Sequence, residues 1–158
     1  MARITFPVLL ALAAIGLFLL TLWSPERQVR LHQRNLLEAV SKRNWERAAS
    51  FIADEYSDRW GHDKGNVIEL GREGLRHFLF LNIEMKDERI TVVEKLGRVE
   101  TELNVRGSPA SIADGLIDRV ESVRQPFGFR WEHRSWKPWD WKLIEFDQPE
   151  LRLEEWGG

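Results

Sequence analysis

Apolar residues are spaced along this chain in three ways, and each spacing predicts a different element. From Phe6 to Trp23, FPVLLALAAIGLFLLTLW, the run is unbroken and uncharged. At about 1.5 Å rise per residue it makes a helix of roughly 27 Å, near the hydrocarbon thickness of a bilayer. From Glu26 to about Leu81 the apolar positions recur at helical spacing. Val29, Leu36 and Val40 share a face of a first helix, Glu26 to Arg43. Trp45, Ala48, Ala49 and Ile52 mark a short second helix capped by Asn44, and Val67, Ile68, Gly71, Gly74, Leu75 and Phe78 mark a third, from about Asn66 to Leu81. Two glycines on one apolar face each cost about 1 kcal/mol against alanine, which implies a close approach of that helix to a sheet.

Past Arg89 the period drops to two. In RVETELNV, Val99, Thr101, Leu103 and Val105 alternate with Arg98, Glu100, Glu102 and Asn104, as on a strand with one buried face. RITVVEKL precedes it, and Gly97 between them suggests a hairpin. Ser108 to Gln125 is ambiguous between a short helix and a covered loop. The last segment is a second hairpin: Phe127, Phe129 and Trp131 alternate, SWKP turns the chain, and Trp139, Trp141 and Leu143 alternate on the way back, with Ile144 and Phe146 on the other parity. Four tryptophans fall within RWEHRSWKPWDWKL. Trp131 and Trp141 read as core, whereas Trp136 and Trp139 flank the turn and, with Lys137 between them, form a candidate ligand, partner or membrane surface.

The uncharged run has two readings. LTLWSPE lacks the small-x-small pattern of a cleavage site, so an uncleaved single-pass anchor is favoured over a removed signal peptide. Trp23 stands where an interfacial aromatic belongs. Ser24 and Pro25 then start the next helix. Its Arg27, Arg30 and Arg34 form a row, either a solvated face or a contact with anionic headgroups. That row also pulls the positive-inside rule toward a cytoplasmic domain, but a short tail, one apolar run and a following domain is the layout of a signal anchor, so an extracytoplasmic domain, periplasmic in a bacterium, is expected. The organisation is thus an anchor over 1–24, a domain over 25–150 and a tail over 151–158.

Charge narrows the chemistry. Twenty-three Lys and Arg stand against 25 Asp and Glu, so no basic excess is available for nucleic acid. The chain has no cysteine, which removes disulfides, thiolate nucleophiles and cysteine-ligated zinc. Asp58, His62 and Asp63 in DRWGHD are a poor metal set, because adjacent His62 and Asp63 have difficulty sharing one ion. No phosphate loop or serine nucleophile motif is present, and no cofactor is implied.

The order of elements, with FIADEYSDRWG after the short helix, LRHFLF at the end of the third and WKLIEF as the closing strand, resembles the nuclear transport factor 2-like superfamily over roughly Glu26 to Pro149. The resemblance implies an α+β fold in which N-terminal helices pack on a curved antiparallel sheet to form a cone, here preceded by a transmembrane helix. It implies either a non-catalytic binding or assembly module, taking a protein partner, a second copy or a small apolar ligand, or an isomerase, dehydratase or hydrolase. In enzymes of this superfamily a carboxylate serves as base and a tyrosine or second acid stabilises an oxyanion. The residues available for such roles are Asp54, Tyr56, Asp58, His77 and Asp140, and their spacing alone demands no catalysis. The non-catalytic module, anchored in the lipid bilayer through Phe6–Trp23, is the expectation carried forward.

Overall fold

The structure, a computed structural model, describes residues 5–109, 118, 120 and 122–151. Four helices come first: α1 (Thr5–Leu22), α2 (Pro25–Ser41), α3 (Trp45–Phe51) and α4 (Lys64–Leu75). Four strands follow: β1 (Phe78–Val93), β2 (Leu96–Pro109), β3 (Phe127–His133) and β4 (Trp141–Asp147). They form one antiparallel sheet in the order β1-β2-β3-β4. The core lies where α2 and α3 cross the sheet, with Val29, Leu36, Ala48 and Ile52 against Val99, Phe129, Trp131 and Leu143. The class is α+β, as expected.

α1 carries exposed apolar side chains at Val8, Leu10, Leu12, Ile15, Leu17 and Phe18. Among the described residues, however, no helix is long and apolar enough to cross a membrane. Ser24 stands at the N-cap of α2, but its side chain makes no capping bond. α2 then runs the length of β1. Near its start, Arg30 and Arg34 reach Glu88 at 2.7 and 3.4 Å, and just past its end the Arg43 guanidinium donates to the Phe78 carbonyl. The arginine row is therefore divided: Arg30 and Arg34 pair with a strand, while Arg27 is exposed. Glu88 reaches them because a bulge between Lys86 and Arg89 re-aims β1. Thr101, fully buried, donates to the Lys86 carbonyl across that bulge.

Two expected boundaries move. Asp63, not Asn66, opens α4: its carboxylate accepts from Asn66 N at 2.8 Å, so the helix starts earlier, at Lys64. At the other end the helix stops at Leu75 rather than Leu81. Leu75, Phe78 and Leu81 keep helical spacing, but Phe78 onward pairs with β2, and Phe78, Leu81 and Val105 form a small buried cluster. Cross-strand pairing overrides the local pattern. The glycine prediction also needs correcting. Gly71 meets Trp45 of α3, whose ring lies 3.0 Å from where a Cβ would stand; the close approach is helix to helix.

The β1–β2 turn is Glu94-Lys95, and Gly97 lies inside β2. A Cβ there would stand 2.8 Å from a Val29 methyl, so glycine at this position lets the start of α2 settle on the sheet. In the second hairpin, a register shift between Arg130 and Trp131 leaves Ile144 unpaired on β4. The parity of β4 reverses there. Trp141 and Leu143 face the core before the bulge, and Phe146 after it, stacked on Phe127 at 6.1 Å. β2 ends at Pro109; most of the ambiguous stretch, together with the tail beyond Leu151, lies outside the described residues.

Candidate functional site

Between the helices and the sheet lies a cavity of about 300 Å3. α2 contributes Leu36 and Val40, α3 Trp45 and Ala48, α4 Val67, Ile68, Gly71 and Gly74, and the sheet Leu103, Phe127, Phe129 and Phe146. Among the described residues its polar side chains are Tyr56 and Asp58. Two wider grooves, each about 860 Å3, run along the β1 edge and at the start of α2. Both are lined by charged side chains and hold no comparable apolar wall.

Tyr56 reaches the cavity because the segment after α3 is stitched to the free edge of β4. Ala53 N donates to the Leu143 carbonyl at 2.9 Å and Ser57 N to the Ile144 carbonyl at 3.2 Å. A covered edge strand is thereby satisfied, and Tyr56 is carried inward between the two bonds. It is buried, and its hydroxyl stands 3.4 Å from Asp58 Oδ2. Burial, aided by the Asp58 charge, holds the phenol well above its ordinary ionisation range. Near neutral pH Tyr56 is a hydrogen-bond donor and not a phenolate.

Asp58 is a buried carboxylate whose oxygens are occupied. Oδ1 accepts from Trp60 N at 3.0 Å and from His62 N at 2.9 Å. Oδ2 faces His62 Nδ1 at 3.0 Å as well as the tyrosine. Gly61, at φ 81°, completes the turn with its N–H on the Asp58 carbonyl at 3.1 Å. The geometry is that of a loop clamp: one carboxylate closes the turn from Asp58 to His62 and holds Tyr56. A carboxylate oxygen only accepts, so His62 Nδ1 is the donor in its contact with Asp58. Asp63 is used as the α4 cap, and among the described residues no group of three or more His, Asp or Glu could hold a metal.

The other candidates lie elsewhere. Asp54 is 94% exposed and bound to Lys64 at 2.7 Å; that hydrogen bond lowers its carboxyl below the usual range. Asp140 sits in the β3–β4 turn, where its carbonyl accepts from Arg134 N at 2.8 Å. His77 follows α4, its Nε2 taking a hydrogen bond from Arg76. Of the weak catalytic set Asp54, Tyr56 and Asp140, the structure brings only Tyr56 to the cavity. The tryptophans divide sharply. Trp131 and Trp141 are 0% and 2% exposed, Trp136 and Trp139 85% and 52%. Trp131 donates to Gln33 Oε1 at 2.9 Å, and Trp141 to the Pro138 carbonyl at 3.0 Å.

Sequence reasoning named Asp58 among the candidate residues but not its turn-closing role, and it missed Gln33, a fully buried amide. A signal for Asp58 existed in DRWGH: an aspartate, a glycine and a following histidine at the spacing of a closed turn. Gln33 had none, because its partner lies 98 positions away.

No protein-family model matches the sequence, and no curated protein resembles it in sequence. Solved structures do resemble it in shape. A cystatin-like-fold protein of unknown function from Nostoc punctiforme superposes with a TM-score of 0.55 at 14% identity, covering 80% of this chain and 92% of that one. A dehydratase candidate of the nuclear transport factor 2-like family from Streptomyces avermitilis gives 0.56 at 16%, covering 77% and 93%. Bd1075 of Bdellovibrio bacteriovorus gives 0.58 at 8%, and there the match spans 38% of the longer chain. Identities this low speak for the fold alone, and the fold is the cystatin-like, nuclear transport factor 2-like cone.

Proposed function

We propose that this chain is a non-catalytic binding module whose cone encloses one small apolar ligand, and that α1 holds it at a lipid bilayer. The carrying observation is the cavity: about 300 Å3, apolar on nearly every side, with the Tyr56 hydroxyl, its proton directed to Asp58, as one oriented acceptor oxygen. Ligand sites of roughly 300–1,000 Å3 with few polar groups are the usual size and chemistry for small molecules. An apolar cavity of about 150 Å3 takes benzene, so a ligand of one or two rings bearing one hydroxyl donor fits here. The carboxylate at the cavity argues against turnover, because Asp58 already accepts from two backbone N–H groups and a histidine. A base so engaged would have to break its own loop.

The enzymatic reading keeps one observation in its favour, which is Tyr56 itself, a protonated phenol inside an apolar site. Titration calorimetry with naphthalene and with 2-naphthol separates the readings. A binding module takes both saturably at one site, prefers the naphthol through Tyr56, loses only that preference in Tyr56→Phe, and loses both ligands in Gly74→Leu, which fills the cavity. Absence of saturable binding to the intact chain would overturn the module.

The membrane part of the reading is supported by the uncharged sequence of α1 and its exposed apolar side chains. The full chain is expected to stay with membranes through carbonate washing. With the domain on the extracytoplasmic side, added protease should digest it in cells whose inner membrane is intact.

A further inference from the structure

One end of the cone gathers bare apolar side chains. The β1–β2 turn and the β3–β4 loop lie side by side there: the Lys95 carbonyl accepts from His133 N at 2.8 Å, and Leu96 pairs with Glu132. The start of α2 lies at the same end, since Val29 rests on Gly97 one residue into β2. Trp23, Leu31, Val93, Leu96, Trp136 and Trp139 are all exposed at or beside this end. At the other end α2 finishes near Phe78.

We propose that this end is a bilayer-docking face: the two hairpin tips enter the headgroup layer beside the point where α1 enters the membrane. The inference rests on the reading of α1 as a bilayer-inserted helix. Two residues, Trp23 and Ser24, separate α1 from α2. Three Cα steps reach at most about 11 Å, and a single helix is about 10 Å across. A folded partner has no room between this end of the domain and the lipid surface, whereas the headgroup layer itself is within reach. Trp136 and Trp139 suit it, because indole places an apolar ring and one N–H donor at a water–lipid boundary. The charges are mixed: exposed Arg27, Lys95 and Lys137 stand beside exposed Glu26 and Glu94. Docking is therefore apolar and needs no anionic lipid.

The chain lacks cysteine, so a single one can be placed at will in the full-length protein. Trp136→Cys, Trp139→Cys and, at the far end of β2, Arg106→Cys are each labelled with an environment-sensitive fluorophore and reconstituted into phosphatidylcholine vesicles. The expected result is flotation with the vesicles, and a blue shift with quenching by nitroxide-bearing lipid at 136 and 139 but not at 106, unchanged in high salt. Flotation with water-like emission at 136 and 139 overturns the docking face and leaves the anchor standing. A blue shift without lipid quenching means that a second copy or another protein covers the tips, and also overturns it. Failure to float removes the anchor and the docking face together.

Discussion

The β3–β4 hairpin uses tryptophan in two opposite ways within eleven positions. In its body, Trp131 and Trp141 are sealed under α2, and each indole N–H has a partner, Gln33 Oε1 or the Pro138 carbonyl. At its tip, Trp136 and Trp139 stand in the open. The residue type is the same, so the difference comes from the pleat and from what lies opposite. A strand under a helix needs large side chains of one parity, each with a home for its polar atom. A loop beyond the sheet has nothing to fill. The two aspartates Asp54 and Asp58 repeat the lesson on a smaller scale: one is bare and pairs with a lysine, the other is buried and closes a turn.

The sharpest way to break the comparison is to truncate both kinds of tryptophan. Trp131→Ala should lose about 3–5 kcal/mol in denaturant unfolding, the range for deleting a large buried aromatic. Asp58→Ala should come next, at about 1–3 kcal/mol in all, because the two backbone donors it leaves unpaired are only partly buried, whereas Asp54→Ala should leave the melting curve unchanged.

A smaller effect is expected from His32, which is packed against Trp131 and Phe51 with Nδ1 donating to the Gln28 carbonyl at 2.8 Å. Burial is the main influence and lowers its pKa; backbone bonds from Gln28 and Trp139 and the nearby Asp140 pull upward, and Lys142 pulls downward. The folded value lies below the unfolded one of about 6.5. The unfolded chain then binds the proton first, so stability falls as pH drops through about 6.5 and levels off below the folded value. His32→Gln should flatten that slope in pH-dependent melting. Smallest of all, Trp136→Ala and Trp139→Ala should shift stability by no more than about 0.5 kcal/mol. A loss at Trp136 equal to that at Trp131 would erase the distinction between body and tip.

How much of this could be read from the sequence follows from the range of each interaction. Alternation in RVETELNV, FGFRW and WDWKL is local, and it located β2, β3, β4 and the buried tryptophans. Asn44 capped its helix as its position suggested. The first four residues of β1 were misread as helix because Leu75, Phe78 and Leu81 satisfy helical spacing, while the pairing that makes them strand comes from residues more than twenty positions on. The cavity was half legible: the stripe of α4 that lines it was identified, but the hollow between that stripe and the sheet depends on Trp45 holding the two helices at a set distance. Gln33 shows the remaining gap. A polar residue on a helix carries no mark of burial until its partner arrives from far along the chain.

That distance has a consequence for how the protein is made. The Gln33–Trp131 bond and the Ile52–Leu143 bridge each join residues about ninety or more positions apart, and β3 and β4 leave the ribosome well after α2 and α3. Contacts of such long range slow folding, because the intervening chain must be closed before they form. Until Leu143 is synthesised, α2 and α3 have no finished surface to pack on, and Leu36, Ala48 and Ile52 stay open to solvent. The nascent chain thus carries an unclosed half-cone until β3 and β4 emerge, and their emergence, rather than that of the helices, is the event that lets its core form.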